Sequence, residues 1–165
     1  MVLRDTYEDV GIINPSYHDF VLPEQKRRVA EGFGASDPKN KRVIGVIHID
    51  RHWVAFLIDR TIGNGAKKAT CFMFDPLQSQ RNYTVIQKSV RTVIEGALQL
   101  GGMVTYEKVE WCTQQDGSSC GVWCVAVLDM LLSNASWDDC LHRLLPYLRM
   151  RLLYKALAFV GKEAA

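Results

Sequence analysis

The sequence lacks the features of a secreted, membrane-spanning or strongly charged protein. Its first residues, MVLRDTYEDVGI, contain neither the basic segment nor the apolar stretch of a signal peptide. The longest apolar run, residues 120–132, is interrupted by Asp129 and falls short of the roughly 18 residues that a membrane-spanning helix needs. The 20 basic and 18 acidic residues leave a net charge of +2. No membrane partner is therefore expected, and nothing in the charge balance favours nucleic acid.

The cysteines do not predict a disulfide framework, because the five are odd in number and irregularly spaced. Such usage is typical of a reducing intracellular compartment, the cytoplasm or the nucleus. The spacing of Cys112, Cys120 and Cys124 does not match a zinc knuckle, so neither a metal ion nor another cofactor is expected. For Cys71, Cys124 and Cys140 we expect packing in the core.

The absence of repeats and linkers predicts a single domain over residues 1–165. Segments rich in β-branched and aromatic residues predict strands, and apolar positions at helical spacing predict helices. The predicted strands cover 42–49, 53–59, 69–75 and 103–111, and the predicted helices cover 23–33, 87–102 and 120–133, with a further helix from Trp137 and a break at Pro146. The fold class is α+β, a small and mostly antiparallel sheet packed by helices.

A predicted hairpin brings a histidine and an aspartate together. The Gly-Asn-Gly segment at 63–65 favours a turn between the second and third strands. With the tip between residues 63 and 64, His52 faces Asp75 across the antiparallel pair. Singly, His52 would be typical of a surface position and Asp75 of a turn. As a pair they form the base and its orienting acid, which is half of a catalytic triad.

Cys120 stands where a polar loop, TQQDGSS, becomes an apolar helix. Free N–H groups and the macrodipole at a helix N-terminus favour a thiolate over a thiol. Gly121 removes a side chain beside the sulfur, and Gly117 lets the loop turn tightly. The amide of Gln114 would meet a developing oxyanion together with the N–H of Cys120. The segment predicts an acyl-transfer site, and a small core cysteine at a helix start is the alternative.

In their order along the chain, these residues resemble the cysteine proteases that process and deconjugate SUMO and related ubiquitin-like proteins, a clan that also contains the adenovirus protease. The segment VIGVIHIDRHW is similar to the family's histidine motif, with His52 as the catalytic histidine and Trp53 following it. The segments MFDP and QQDGSSCG are similar to its aspartate and cysteine motifs, through Asp75, Gln114 and Cys120.

The resemblance implies a papain-like core with the nucleophile at the N-terminus of a buried helix. It implies a thiol protease or isopeptidase that cleaves after the C-terminal Gly-Gly of a SUMO-like or ubiquitin-like modifier. Cys120 would be the nucleophile, and His52 the general base. Asp75 would orient the base, Gln114 would donate to the oxyanion, and Trp53 would wall a channel that admits only glycines. The modifier or its conjugates would be the partner, inside the cell or, for a pathogen or virus, inside the host cell.

One departure from the family pattern concerns the substrate channel. Residues 1–41 contain no tryptophan, whereas the family's deconjugases usually carry a second channel tryptophan upstream. This pattern is typical either of a compact relative of the family or of a chain whose channel is completed by a protein partner. Two other functions stay open, an acyltransferase of the same clan that uses acetyl-CoA and a module that binds a ubiquitin-like protein without cleaving it.

Overall fold

A five-stranded sheet lies at the centre of the chain. The computed structural model describes residue 3, residues 6–63 and residues 65–163. For residues 162 and 163 it describes the backbone alone. The strands are β1 (Val10–Ile12), β2 (Arg42–Ile49), β3 (His52–Asp59), β4 (Ala69–Phe74) and β5 (Val104–Lys108), and they lie in this order across the sheet. The three central strands pair antiparallel, as predicted, and both edge strands are added in parallel. The α+β class is confirmed, and the sheet is mixed.

The helices match the predicted ones best at 23–33 and 120–133, whereas the helix predicted at 87–102 begins earlier, at Gln80, and ends at Ala97. They are α1 (Pro23–Ala30), α2 (Gln80–Ser89), α3 (Glu95–Ala97), α4 (Cys120–Ser133) and α5 (Leu145–Glu163), with 3₁₀ helices at Pro15–Asp19 and Asp139–Leu144 and a π-helical turn, Val90–Ile94, between α2 and α3. The start predicted for the further helix at Trp137 is wrong, because the carboxylate of Asp138 accepts the N–H of Cys140 and begins a 3₁₀ helix. Cys140 is exposed, which contradicts its predicted core packing. Pro146 stands at the start of α5, where its missing N–H costs nothing. Within the described residues, no helix is both long enough and apolar enough to cross a membrane.

Helices cover both faces of the sheet. Along β3, Val54, Phe56 and Ile58 belong to one apolar cluster, and Ala55 and Leu57 belong to the other. This alternation follows from the two-residue period of a strand. The first cluster joins the sheet to α1, α2 and the π-helical turn, and the second joins it to α4. The helix that begins at Cys120 is therefore fixed against the centre of the sheet.

The predicted register of the hairpin is wrong by two residues. Ala55 pairs with Phe74 and Asp59 pairs with Thr70, so a continued ladder would place Asp75 opposite Val54. Asn64, part of the predicted tip, lies outside the described residues. The connection between β3 and β4 is therefore not centred on residues 63 and 64 as predicted.

Candidate active site

His52 and Asp75 meet at one end of the sheet. His52 is the first residue of β3, and Asp75 directly follows β4. The Nε2 atom of His52 lies 2.5 Å from Oδ1 of Asp75. Because an ionised carboxylate only accepts hydrogen bonds, Nε2 carries the proton in this contact, and the lone pair of the neutral ring lies on Nδ1. The contact thus fixes the plane of the imidazole and leaves Nδ1 of the neutral ring free to accept a proton.

The carboxylate of Asp75 is fully buried and accepts four hydrogen bonds. Its Oδ1 accepts from His52 and from the N–H of Leu77 at 3.0 Å. Its Oδ2 accepts from the N–H of Ser79 at 2.8 Å and from Nδ2 of Asn82 at 2.9 Å. These donors offset the cost of removing a charge from water, and they fix the plane of the carboxylate.

The N-terminus of α4 lies against the beginning of β3. The thiol of Cys124 donates to the carbonyl of Trp53 at 3.3 Å, and a Cβ atom on Gly121 would lie 3.6 Å from Cδ1 of Trp53. That separation is an ordinary contact, so space does not require glycine at 121. Gly117 lies in open space without a positive φ, so no tight turn requires it either. Cys120, the first residue of α4, is half-buried, and the residue after it lies beside the ring of Trp53, which directly follows His52 in the chain.

The loop before Cys120 is folded around the carboxylate of Asp116. Its Oδ1 accepts the N–H groups of Ser119 at 3.0 Å and Ser118 at 3.3 Å, and its Oδ2 accepts the Ser119 hydroxyl. The bond from this hydroxyl holds the pKa of Asp116 below its usual range. Since the Ser119 side chain is used within the loop, it does not cap α4. The first N–H groups of α4 therefore stay available to a negative charge.

Gln114 is attached to the same end of the sheet through its backbone. Its N–H donates to the carbonyl of Pro76 at 2.9 Å. The side-chain Nε2 donates to the carbonyl of Asp116 at 2.5 Å, and Oε1 is buried with no partner among the described residues. An amide NH2 has two hydrogens, so one remains for an anion placed beside the loop.

A comparison with known protein families assigns the chain to one of them. The family described as the Ulp1 protease family, C-terminal catalytic domain, matches residues 24–158. The chain belongs to this family. Ulp1-family membership makes it a cysteine peptidase. No curated protein sequence matches it significantly.

Solved Ulp1-family structures share the fold. A structure of the SUMO protease Ulp1 with its catalytic cysteine oxidised to a sulfinic acid superposes with a TM-score of 0.73 at 15% identity, over 94% of this chain and 74% of that one. The Ulp1 protease domain in complex with Smt3, the yeast orthologue of SUMO, gives a TM-score of 0.69 at 14% identity, over 94% and 73%. The Ulp1-like SUMO protease domain of Chaetomium thermophilum gives 0.59 at 13% identity, over 77% and 51%.

The other four cysteines of this Ulp1-family chain are disfavoured as nucleophiles. Burial raises the pKa of Cys71 and Cys124, both of which lie in the core as predicted, and raises the pKa of Cys112 to about 12. On the surface, a hydrogen bond with Asp138 raises the pKa of Cys140. Because the thiolate is the reactive form, a raised pKa lowers the reactive fraction at neutral pH.

Three residues near the site were not predicted from the sequence. Asn82 contacts Asp75, and Arg149 of α5 donates to Ser119 Oγ at 3.1 Å. Gln78 connects the exit of β4 to the loop before Cys120, since its Nε2 donates to the carbonyl of Cys112 at 2.7 Å. Gln78 and Arg149 form hydrogen bonds with residues that are far away in the chain, and no local sequence pattern predicts such contacts. Asn82 stands in an Asn-x-Thr sequence, the pattern of a glycosylation sequon, which carries no signal of its buried contact.

Replacing Asn82 with alanine should lower kcat while leaving KM nearly unchanged. The variant removes one of the two donors to Oδ2 of Asp75, so the carboxylate holds the His52 ring less firmly. A loss of about 1.4 kcal/mol in this orientation corresponds to about a tenfold fall in kcat. Steady-state kinetics on a cleavable modifier substrate measures it. Thr84→Ala is the matched control, because its hydroxyl bonds within α2 to the carbonyl of Gln80. Equal kcat values for the two variants would show that Asn82 has no positioning role.

Proposed function

We propose that the chain is a thiol protease or isopeptidase that cleaves after the C-terminal Gly-Gly of a ubiquitin-like modifier. The observation that carries the proposal is the convergence of three elements at one end of the sheet. These are the start of β3 with His52, the exit of β4 with Asp75, and the uncapped N-terminus of α4 with Cys120. The complex of the Ulp1 domain with Smt3 supports a modifier of the SUMO type as the first substrate to test.

Cleavage would proceed through a thioester. The Cys120 thiol transfers its proton to Nδ1 of His52, and the sulfur attacks the carbonyl carbon of the last glycine. Asp75 stabilises the imidazolium through Nε2. His52 then gives the proton to the departing amine as the C–N bond breaks. Water next gives a proton to Nδ1, its oxygen attacks the thioester, and Cys120 leaves and recovers that proton.

Each tetrahedral intermediate places a negative charge on the former carbonyl oxygen. The N–H groups in the first turn of α4 supply donors that need no reorganisation. The free amide hydrogen of Gln114 supplies a further donor, because the loop holds this side chain through the carbonyl of Asp116. An oxyanion between these donors would be stabilised as it forms.

Trp53 would form one wall of the channel for the glycines. Its side chain is 37% exposed rather than buried in the core, and its ring lies 4.8 Å from that of His48. A flat ring beside the N-terminus of α4 leaves room for an extended backbone but not for side chains. A protein partner or the bound modifier would complete the opposite wall of the channel.

A panel of modifiers with a C-terminal fluorogenic amide tests the proposal. We expect release of the fluorophore from at least one SUMO-like or ubiquitin-like member, and no release from the Cys120→Ala variant. A parallel incubation with acetyl-CoA and candidate target proteins separates hydrolysis from acyl transfer. Acetylation without cleavage, or binding of a modifier without turnover, would contradict the proposal.

Replacing Trp53 with alanine should reduce the preference for glycine. We expect kcat/KM for the native Gly-Gly end to fall about tenfold or more, since the ring no longer orients the substrate backbone. A substrate that ends in Ala-Gly should lose much less. The ratio of the two kcat/KM values measures the effect, and Trp53→Phe, which keeps a flat ring, should retain most of the preference. An unchanged ratio in Trp53→Ala would exclude the channel role.

A further inference from the structure

Helix α5 has an apolar face that points away from the protein. None of its described side chains is fully buried. On its inner side, Leu145 and Leu148 pack against the α4 cluster. On its outer side lies a second set of large apolar residues, each between 54% and 74% exposed, which we call the outer stripe: Tyr147, Met150, Leu153, Tyr154, Leu157 and Val160. Monomeric proteins rarely leave a contiguous apolar patch of this size in water.

Helix α5 contacts the domain through its inner side and through two arginines, so the outer stripe faces away from it. Arg149 donates to Ser119 Oγ at 3.1 Å, and Arg151 lies 3.8 Å from the carboxylate of Asp129 on α4. These contacts direct the two arginines towards the domain. A helix that binds a membrane surface instead uses such residues to flank its apolar face and contact anionic lipid. The distribution of charge therefore favours a protein over a membrane as the occupant.

We propose that the outer stripe is the interface of a homodimer in which two α5 helices pair antiparallel. The stripe is symmetric about its centre. A two-fold axis there places Tyr147 opposite Val160 of the second copy, Met150 opposite Leu157, and Leu153 opposite Tyr154. The spacing of three and four residues suits packing between helices, and a two-fold axis brings the same surface patch together from both copies.

The composition and the area of the stripe also fit a second copy. It contains no charged residue, so self-pairing creates no like-charge repulsion. Its two tyrosines are of a residue type enriched at interfaces. Each of the six large side chains is more than half exposed, so the stripe offers a second copy a continuous apolar surface, as a standard interface of ~800 Å² per partner requires.

Sedimentation velocity over micromolar to submillimolar concentrations tests the dimer without reference to catalysis. We expect the wild type to sediment at twice the chain mass, and Met150→Lys and Leu157→Glu each to sediment at the chain mass. A mixture of the two variants should recover the double mass, because the antiparallel pairing places the lysine opposite the glutamate. Val21→Glu changes an apolar residue that is 87% exposed outside the stripe, and it should remain dimeric. Circular dichroism verifies that each variant is folded.

Three results would overturn the proposal. One is a wild type that stays monomeric throughout the concentration range. Another is a dimer that persists in both single variants. The third is a monomeric wild type that co-sediments with vesicles of phosphatidylcholine and phosphatidylserine, which would assign the outer stripe to a membrane surface.

Discussion

Serine in place of Cys120 should abolish cleavage of a modifier substrate. We expect kcat/KM to fall by at least about 10⁴-fold, because a hydroxyl is far more weakly acidic than a thiol and does not form the anionic nucleophile that a thiol supplies at neutral pH. His52 and the donors at the start of α4 stay in place, so substrate binding should be largely retained. Fluorophore release measures the rate, and binding of an uncleaved modifier measures the affinity.

Cys140→Ser is the matched control for Cys120→Ser. Cys140 is the exposed thiol among the cysteines that the structure describes, and its hydrogen bond with Asp138 raises its pKa. We expect this variant to cleave at the wild-type rate. A Cys120→Ser variant that keeps more than about a tenth of the wild-type activity would show that another group is the nucleophile.

Asparagine in place of Asp75 should lower kcat by about 10³-fold to 10⁴-fold. All the groups around this carboxylate donate, namely His52, the two backbone N–H groups and Asn82. Each carboxylate oxygen accepts from two of these donors. The NH2 group of an asparagine amide would therefore face two donors in either orientation of the side chain. If the NH2 faces His52, the ring changes tautomer and Nδ1 loses its lone pair. If it faces the other side, buried donors lose their acceptor, at a cost of about 1–3 kcal/mol in stability.

Asp59→Asn separates the catalytic loss from the loss of stability. Asp59 is buried at the opposite end of β3, and it accepts the N–H of Thr61 at 2.7 Å and the Thr61 hydroxyl at 2.6 Å. Both variants should lower the free energy of unfolding, measured in urea, by a similar amount. We expect Asp59→Asn to retain its kcat. Equal falls in kcat for the two variants would attribute the effect of Asp75 to folding alone.

The central strands could be predicted from sequence because their residues carry the signal locally. β2, β3 and β4 are runs of β-branched and aromatic residues, and both faces of β3 are buried. β1 is a different case, since its three residues, VGI, show no period. The position of β1 depends on a close approach between its backbone at Gly11 and the backbone at Gly34, which is distant in the chain. A Cβ atom on Gly11 would lie 2.7 Å from the carbonyl oxygen of Gly34.

The convergence of His52 and Asp75 was predicted from a register that proved wrong. In the observed register, a continued ladder makes Asp75 a diagonal neighbour of His52 on the same side of the sheet rather than its direct partner. The imidazole is long enough to span the diagonal, so the contact forms. The surroundings of the pair could not be predicted. Asn82 donates to the carboxylate of Asp75 only because α2 packs beside the exit of β4, and no local sequence pattern specifies that packing. The sequence pattern therefore predicts the reactive residues, whereas the hydrogen-bond donors that position them depend on tertiary packing.

Covalent capture tests the central claim most directly. The chain is incubated with SUMO and ubiquitin probes in which a propargylamide replaces the last glycine. The intact mass is then measured. We expect the addition of one modifier to the wild type, with peptide mapping that places the adduct on Cys120, and no addition to Cys120→Ala. An adduct on another cysteine, or a folded wild type that reacts with no probe in the panel, would contradict the account.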